Sequence, residues 1–179
     1  EITMNSMQKI LEFLKKNCEF DSSARFLDIG SGLGKPNFHC AISIQPKLSI
    51  GIESSLIRWE LGMLNLLALY NNTDNDVNIN LKGVNFLHSD IRNATSLDPF
   101  NYIYLYNVGF TKELCQAIAE QFNKSKGRMY LISYFNESNV CKVHKFKVKL
   151  LGKMKINSSG STETHMVYFY CNDKETFDI

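Results

Sequence analysis

The 179 residues carry 20 lysines and arginines against 18 aspartates and glutamates, a formal charge of +2 that is too mild to imply nucleic acid by itself. With 44% hydrophobic and 21% charged residues, the composition is that of one ordinary globular domain spanning residues 1–179, and no apolar run approaches the ~20 residues of a membrane span. Five scattered cysteines (Cys18, Cys40, Cys115, Cys141, Cys171), with no C-x-x-C pair, argue against a disulfide framework and against zinc, so a reducing compartment fits best.

No signal peptide is visible, which makes an intracellular location, nuclear or cytoplasmic, the default. The chain begins at Glu1 rather than methionine, so a trimmed N-terminus could have carried a targeting segment or another domain. From about Asn5 to Asn17, Met7, Ile10, Leu11 and Leu14 recur at helical spacing and predict an amphipathic helix. Arg25 to Ile29 reads as a buried strand. It runs into Gly30-Ser31-Gly32-Leu33-Gly34, where three glycines on alternate residues allow a sharp turn that leaves N–H groups pointing outward. Pro36 suits the first turn of a second helix. Leu48 to Glu53 is the next strand, and Ser54 or Ser55 can cap a helix running to roughly Tyr70. The asparagine-rich segment Asn71 to Asn80 interrupts all periodicity. Val84 to His88 and Tyr102 to Tyr106 follow as strands, then a helix from about Thr111 to Asn123 and a strand from Arg128 to Tyr134. Such alternation predicts an α/β fold with a Rossmann-like, seven-stranded, mostly parallel sheet and helices on both faces. The tail differs: Val143 to Leu151 and Thr164 to Cys171 read as two strands around a Gly/Ser turn, a C-terminal antiparallel hairpin.

Ligands of open α/β sheets bind beyond the carboxyl ends of the strands, so the polar residues there are read as one site. They are Asp28 with the glycines, Glu53, Asp90 and Asn107. The spacing D-x-G-x-G-x-G, with an acid two residues before the first glycine, resembles the first motif of class I methyltransferases, which bind S-adenosylmethionine. The resemblance implies that Gly30, Ser31, Gly32 and Gly34 cradle the methionine part of that cofactor. Asp28 would order the loop or reach the ammonium group through water. Glu53 follows at about the interval at which a Rossmann acid takes ribose hydroxyls; alternatively it favours the next helix N-terminus. Asp90 stands where the class accepts a hydrogen bond from the adenine amine, with Ile91 packing on the ring. A lone aspartate more often caps a turn.

A narrower resemblance rests on Leu105-Tyr106-Asn107-Val108-Gly109-Phe110, a following helix, and Lys126-Gly127-Arg128-Met129-Tyr130-Leu131-Ile132-Ser133. These look like the Asn-Asn-Phe-Ala-Phe region of the histone-lysine methyltransferases that lack a SET domain, the disruptor-of-telomeric-silencing family. Glu1-Ile2-Thr3 resembles the family's N-terminal segment that closes over the cofactor, and Gly51-Ile52-Glu53 its Gly-Val-Glu. The resemblance implies that Glu1 and Thr3 help hold the cofactor, that Asn107 stands beside the transferring methyl group and also touches the cofactor, and that Phe110 walls the substrate channel. It implies a protein substrate, a histone or nucleosome.

Departures bear on the substrate. Lys35 and Pro36 stand where the family has glutamine, and the hairpin stretch Ser158 to His165 offers only His165 where the family has tryptophan and tyrosine. Trp59 is assigned to core packing. Lys145, Lys147 and Lys149 alternate with apolar residues, a pattern that places them on one strand face, either to track phosphates or to guard a sheet edge. His39, His88, His144 and His165 lack ligand-like spacing. The alternatives are a class I methyltransferase for a small molecule or RNA, and an inactive binding module that keeps the fold.

Overall fold

The computed structural model describes residues 2–72, 81–157 and 164–174. Glu1, most of the asparagine-rich segment and the Gly/Ser turn of the hairpin lie outside the described residues. Seven strands form one sheet: β1 (Arg25–Ile29), β2 (Leu48–Glu53), β3 (Val84–His88), β4 (Tyr102–Leu105), β5 (Tyr130–Ser133), β6 (Lys149–Asn157) and β7 (Thr164–Cys171). Their order is β3-β2-β1-β4-β5-β7-β6. β1 to β5 run parallel, whereas β7 is antiparallel to both β5 and β6. This is the predicted sheet with its terminal hairpin.

Helix α1 (Met4–Asn17) begins at Thr3, whose hydroxyl accepts from the Ser6 N–H at 3.2 Å. Its apolar stripe, Met7, Ile10, Leu11 and Leu14, is buried. That stripe joins a core with Phe26 of β1, Tyr102 and Tyr104 of β4, and Val167 and Phe169 of β7, and Phe13 stacks on Phe169 at 3.9 Å. Helix α2 (Lys35–Ser43) carries Pro36 in its first turn and packs on the same face. Helix α3 (Leu56–Asn72) covers Val84 and Phe86 of β3 through Leu66, and the Trp59 indole donates to the Phe86 carbonyl at 3.0 Å. On the opposite face, α4 (Lys112–Lys124), capped by Thr111, packs Ile118, Ala119 and Phe122 over Leu27, Ile29, Ile103 and Leu131.

The tail departs from its sequence pattern. Val143 to Val148 is not strand: a π-helical turn runs through Ser138–Val143, and β6 starts only at Lys149. Two interactions pull the backbone off the sheet. Phe146 turns into the core against Phe122, ring centroids 5.5 Å apart, and the Asn123 side chain accepts from the Lys147 N–H at 2.9 Å while donating to the Lys145 carbonyl at 2.8 Å. The predicted lysine face is therefore displaced. Lys145 and Lys147 lie in the irregular segment, and the exposed lysines of the strand are Lys149, Lys153 and Lys155.

Candidate active site

Strand order reverses between β1 and β4, and there the ends of the strands part to leave a cavity of about 680 Å³, within the range of small-ligand sites. The glycine turn forms its floor. Gly30, Gly32 and Gly34 have φ of +79°, +54° and +84°, a region that side chains with a Cβ rarely enter. Contrary to the expectation of outward N–H groups, the loop uses them internally. Gly30 and Ser31 donate to the Ile52 carbonyl at 2.8 and 3.1 Å, Gly32 to Glu53 Oε2 at 2.9 Å, and Gly34 to the Ser31 carbonyl at 2.9 Å. A turn so satisfied is not an anion nest, which fits a ligand without phosphate. Gly30, Ser31 and Gly32 face the cavity, whereas Gly34 sits behind it, where a Cβ would lie 2.4 Å from the Phe86 ring.

Two carboxylates meet at this floor, both almost fully buried. Glu53 is a staple as well as a wall residue: one oxygen holds Gly32, and the other accepts from the Ser55 N–H at 2.8 Å, at the start of α3. Each oxygen keeps a lone pair for a ligand hydroxyl. Asp28 is pushed well above the usual carboxylate range, first by burial and then by the charge of Glu53. Its Oδ2 and the Ser31 hydroxyl are buried without a hydrogen-bond partner. Orphaned acceptors in a cavity mark where a donor-rich ligand completes the structure, and a cationic ammonium beside Asp28 would relieve its repulsion from Glu53. The residues present therefore fit S-adenosylmethionine: uncharged loop backbone, an acid for an ammonium group, and an acid for vicinal hydroxyls.

Other predicted residues divide. Asp90 and Ile91 line the cavity, but the Asp90 carboxylate caps a 3₁₀ turn (Ile91–Asn93) through the Arg92 N–H at 2.9 Å and pairs with the Arg92 guanidinium. Both contacts hold its carboxyl below the usual range. Thr3 is the cap of α1, and of the two described residues of that segment Ile2 is the one on the cavity wall. Phe110 lines the wall with its ring over Gly30, where a Cβ would come within 3.0 Å of it. Asn107 is 2% exposed and works as a strut between neighbouring strands, donating to Ser133 Oγ at 2.9 Å and accepting from the Tyr134 N–H at 3.0 Å. Its side chain does not line the cavity, whereas Val108 and Gly109 just after it do.

Sequence reasoning passed over Tyr104 and Tyr106, which line the cavity. The signal was present: period-two alternation along Tyr102-Ile103-Tyr104-Leu105-Tyr106 puts the three tyrosines on one sheet face. Tyr104 pairs directly with Asp28 across the parallel strands. Arg58, Ser55 and Arg92 on the wall had no such signal. Among the described residues, no group of three or more His, Cys, Asp or Glu could hold a metal ion, and no helix is long and apolar enough to cross a membrane.

Several solved structures with this architecture are methyltransferases. Magnesium protoporphyrin IX methyltransferase from Synechocystis PCC 6803, with bound SAM, superposes with a TM-score of 0.67 at 10% identity, covering 95% of this chain and 79% of that one. TrmK of M. capricolum, in complex with S-adenosylhomocysteine, gives 0.63 at 9% identity over 98% and 70%. TYW2 of M. jannaschii, in complex with AdoMet, gives 0.57 at 17% identity over 89% and 73%. At these identities the likeness is one of fold: the class I, S-adenosylmethionine-dependent methyltransferases. No curated protein sequence matches the chain. The family described as histone methylation protein DOT1 matches residues 1–163, nearly the whole chain, and the chain belongs to that family.

Proposed function

We propose that this chain is a single methyltransferase domain that methylates the side-chain amine of a protein lysine, with histones and nucleosomes as its substrates. Family membership over residues 1–163 carries the reading. S-adenosylmethionine, when bound, supplies an electrophilic methyl group on a sulfonium. Asp28 and Ser31 hold its methionine end, Glu53 its ribose, and Ile91 with Asp90 its adenine; all line the cavity. For Asp90 this role requires that Arg92 yield one carboxylate oxygen. Gly34 keeps the loop against Phe86, and Asn107 fixes the ends of β4 and β5, where the acceptor is met.

Methyl transfer needs a neutral amine held in line in a dry site more than it needs a strong acid or base. The cavity suits this. Burial pushes the Tyr104 and Tyr134 hydroxyls up, so both stay neutral hydrogen-bonding groups. The test is a thermal-shift series followed by a transfer assay. S-adenosylmethionine and S-adenosylhomocysteine at ~100 Kd should each add about 2.7 kcal/mol, and nicotinamide dinucleotides should add nothing. Labelled methyl should then appear on core histones or nucleosomes. A shift with NAD alone removes the methyltransferase reading; cofactor binding with no histone labelled, but labelling of RNA or a small molecule, replaces the substrate.

A further inference from the structure

We propose that the outer face of α3 is a docking surface for a second copy of this chain, and that Ile57 of each copy seats in a hollow beside Ala68 of the other. The inference does not depend on which acceptor is methylated.

The helix carries more apolar residues than its own sheet uses. Trp59, Met63 and Leu66 face the core with Val84 and Phe86 of β3, yet Ile57, Leu61, Leu64 and Ala68 form a second stripe on nearly the opposite side. Their spacing of four, three and four is that of a helix–helix seam. Six of the thirteen exposed large hydrophobic side chains among the described residues lie on α3, and Ile57, at 70%, is the most exposed of all. Only Arg58 and Glu60 are charged in the helix's 17 residues. A helix that lies on a lipid surface, or one that tracks phosphates, is flanked by lysines and arginines, so this face fits protein.

Shape and area select a second copy. The stripe borders a cleft of about 330 Å³ lined by Leu33, Lys35, Phe38, Asn65, Ala68 and Leu69, with Ala68 the smallest side chain on its wall. That wall is firmly held. Asn65 donates to the Leu33 carbonyl at 3.2 Å, and Gly62 packs so near the glycine loop that a Cβ would lie 3.3 Å from the Gly32 carbonyl. Ile57 stands three turns, about 16 Å, from Ala68 on the same face. An antiparallel two-fold pair centred between Leu61 and Leu64 therefore sets each Ile57 against the other copy's Ala68, and each Leu61 against the other's Leu64. A protruding side chain meets a hollow at both ends, which is the self-complementarity that an isologous interface requires. Ile57, Leu61, Leu64 and Leu67, 44–70% exposed, together with the cleft bring two copies to the roughly 1,000 Å² at which a specific interface begins. An interface of that size gives a weak dimer, in the micromolar range.

The test is equilibrium sedimentation of the whole chain over about 1 to 300 µM, a range that brackets a micromolar dimer. The wild type should pass from 20.5 kDa towards twice that mass. Ile57→Lys, at a position exposed enough to leave folding intact, should weaken the dimer at least tenfold while its thermal shift with S-adenosylhomocysteine matches the wild type. The register has its own readout. With oxidised glutathione as oxidant, the double variant Ile57→Cys/Ala68→Cys should run as a covalent dimer on a non-reducing gel, and the wild type and either single variant should not. Three turns apart, the two positions cannot bridge within one helix, because a disulfide needs Cα atoms within about 7 Å. A chain that stays monomeric throughout, a dimer that Ile57→Lys leaves intact, or a double variant that does not cross-link would overturn the inference. So would binding to phosphatidylcholine vesicles in place of self-association.

Discussion

The two sides of the crevice are built by different means. Around β1, β2 and β3 the wall is backbone, held by hydrogen bonds between the glycine loop and the end of β2. Glu53 reaches Gly32 across 21 positions, and the glycine loop closes on Ile52. Around the ends of β4 and β5 the wall is side chain: Tyr104 and Tyr106 line it, and behind them Tyr104 meets Tyr134 across 30 positions. The first side tolerates almost no change in backbone shape, so it is tied to one ligand. The second is made of side chains, so a ring there can be exchanged without moving the backbone.

The largest expected effect breaks the backbone side. Gly34→Val adds a Cβ 2.4 Å from Phe86 and 2.9 Å from Phe38 at a φ of +84°. Strain and overpacking together should cost roughly 2–6 kcal/mol in a urea titration, each contributing ~1–3. An unchanged midpoint would mean that the loop is not fixed as described. The counterpart on the ring side is Asn107→Ala, which removes the partner of the Tyr134 N–H and one partner of Ser133 Oγ. It should cost about 2–4 kcal/mol of stability and lower kcat on histones more than S-adenosylhomocysteine affinity, because it releases the segment carrying Tyr134. Equal losses of both would place Asn107 on the cofactor side.

Glu53→Ala sharpens the comparison from the cofactor side. Removing a buried carboxylate that can accept from ribose should weaken S-adenosylhomocysteine by roughly 1.5–3 kcal/mol in calorimetry while leaving kcat at saturating S-adenosylmethionine nearly unchanged. Loss of both together would show that the two sides are one unit.

The smallest effect is a pH dependence. Asp28 is raised in the folded chain, so its contribution to stability is present below the ordinary carboxylate value and lost as pH rises through its folded value. Asp28→Asn, which cannot ionise, should therefore melt higher than wild type at neutral pH without ligand, and the advantage should vanish toward about pH 4. A ligand ammonium favours the carboxylate, so wild-type cofactor affinity should rise with pH and the variant's should not. A pH-independent difference between the two melts would remove the assigned burial of charge. Asp90 runs the opposite way: lowered by Arg92, it contributes above the ordinary carboxylate value and loses that contribution as pH falls.

These contrasts also explain what could be read in advance. The backbone side was legible because its chemistry is local: only glycine suits the turn from Gly30 to Gly34, and an acid ending β2 is visible as Glu53. Helices and parallel strands were legible for the same reason, since Met7, Ile10, Leu11 and Leu14 mark a period without help from distant residues. The ring side was not. Nothing near Tyr134 says that it meets Tyr106, because strand neighbours are chosen by the topology of the whole sheet. Asn107 could be marked as important from its motif, but its role as a strut depends on Ser133. Val143 to Val148 misled for a related reason: its alternation suits a strand, yet Phe146 and Asn123 win the backbone through contacts that no short window contains.

The seam where α1 meets β6 has a consequence for the order of events during folding. The Ser6 hydroxyl donates to the Asn157 carbonyl and accepts from the Asn157 N–H, both at 2.9 Å and across 151 positions. The helix can pack on β1, β4 and α2 beforehand, but this seam closes only once the hairpin exists. Ile2, just ahead of that helix, reaches the cavity wall by the same closure. A ribosome-bound chain that has not yet released the hairpin therefore has its glycine turn but not a finished pocket, and cofactor capture reports that the hairpin has joined the sheet.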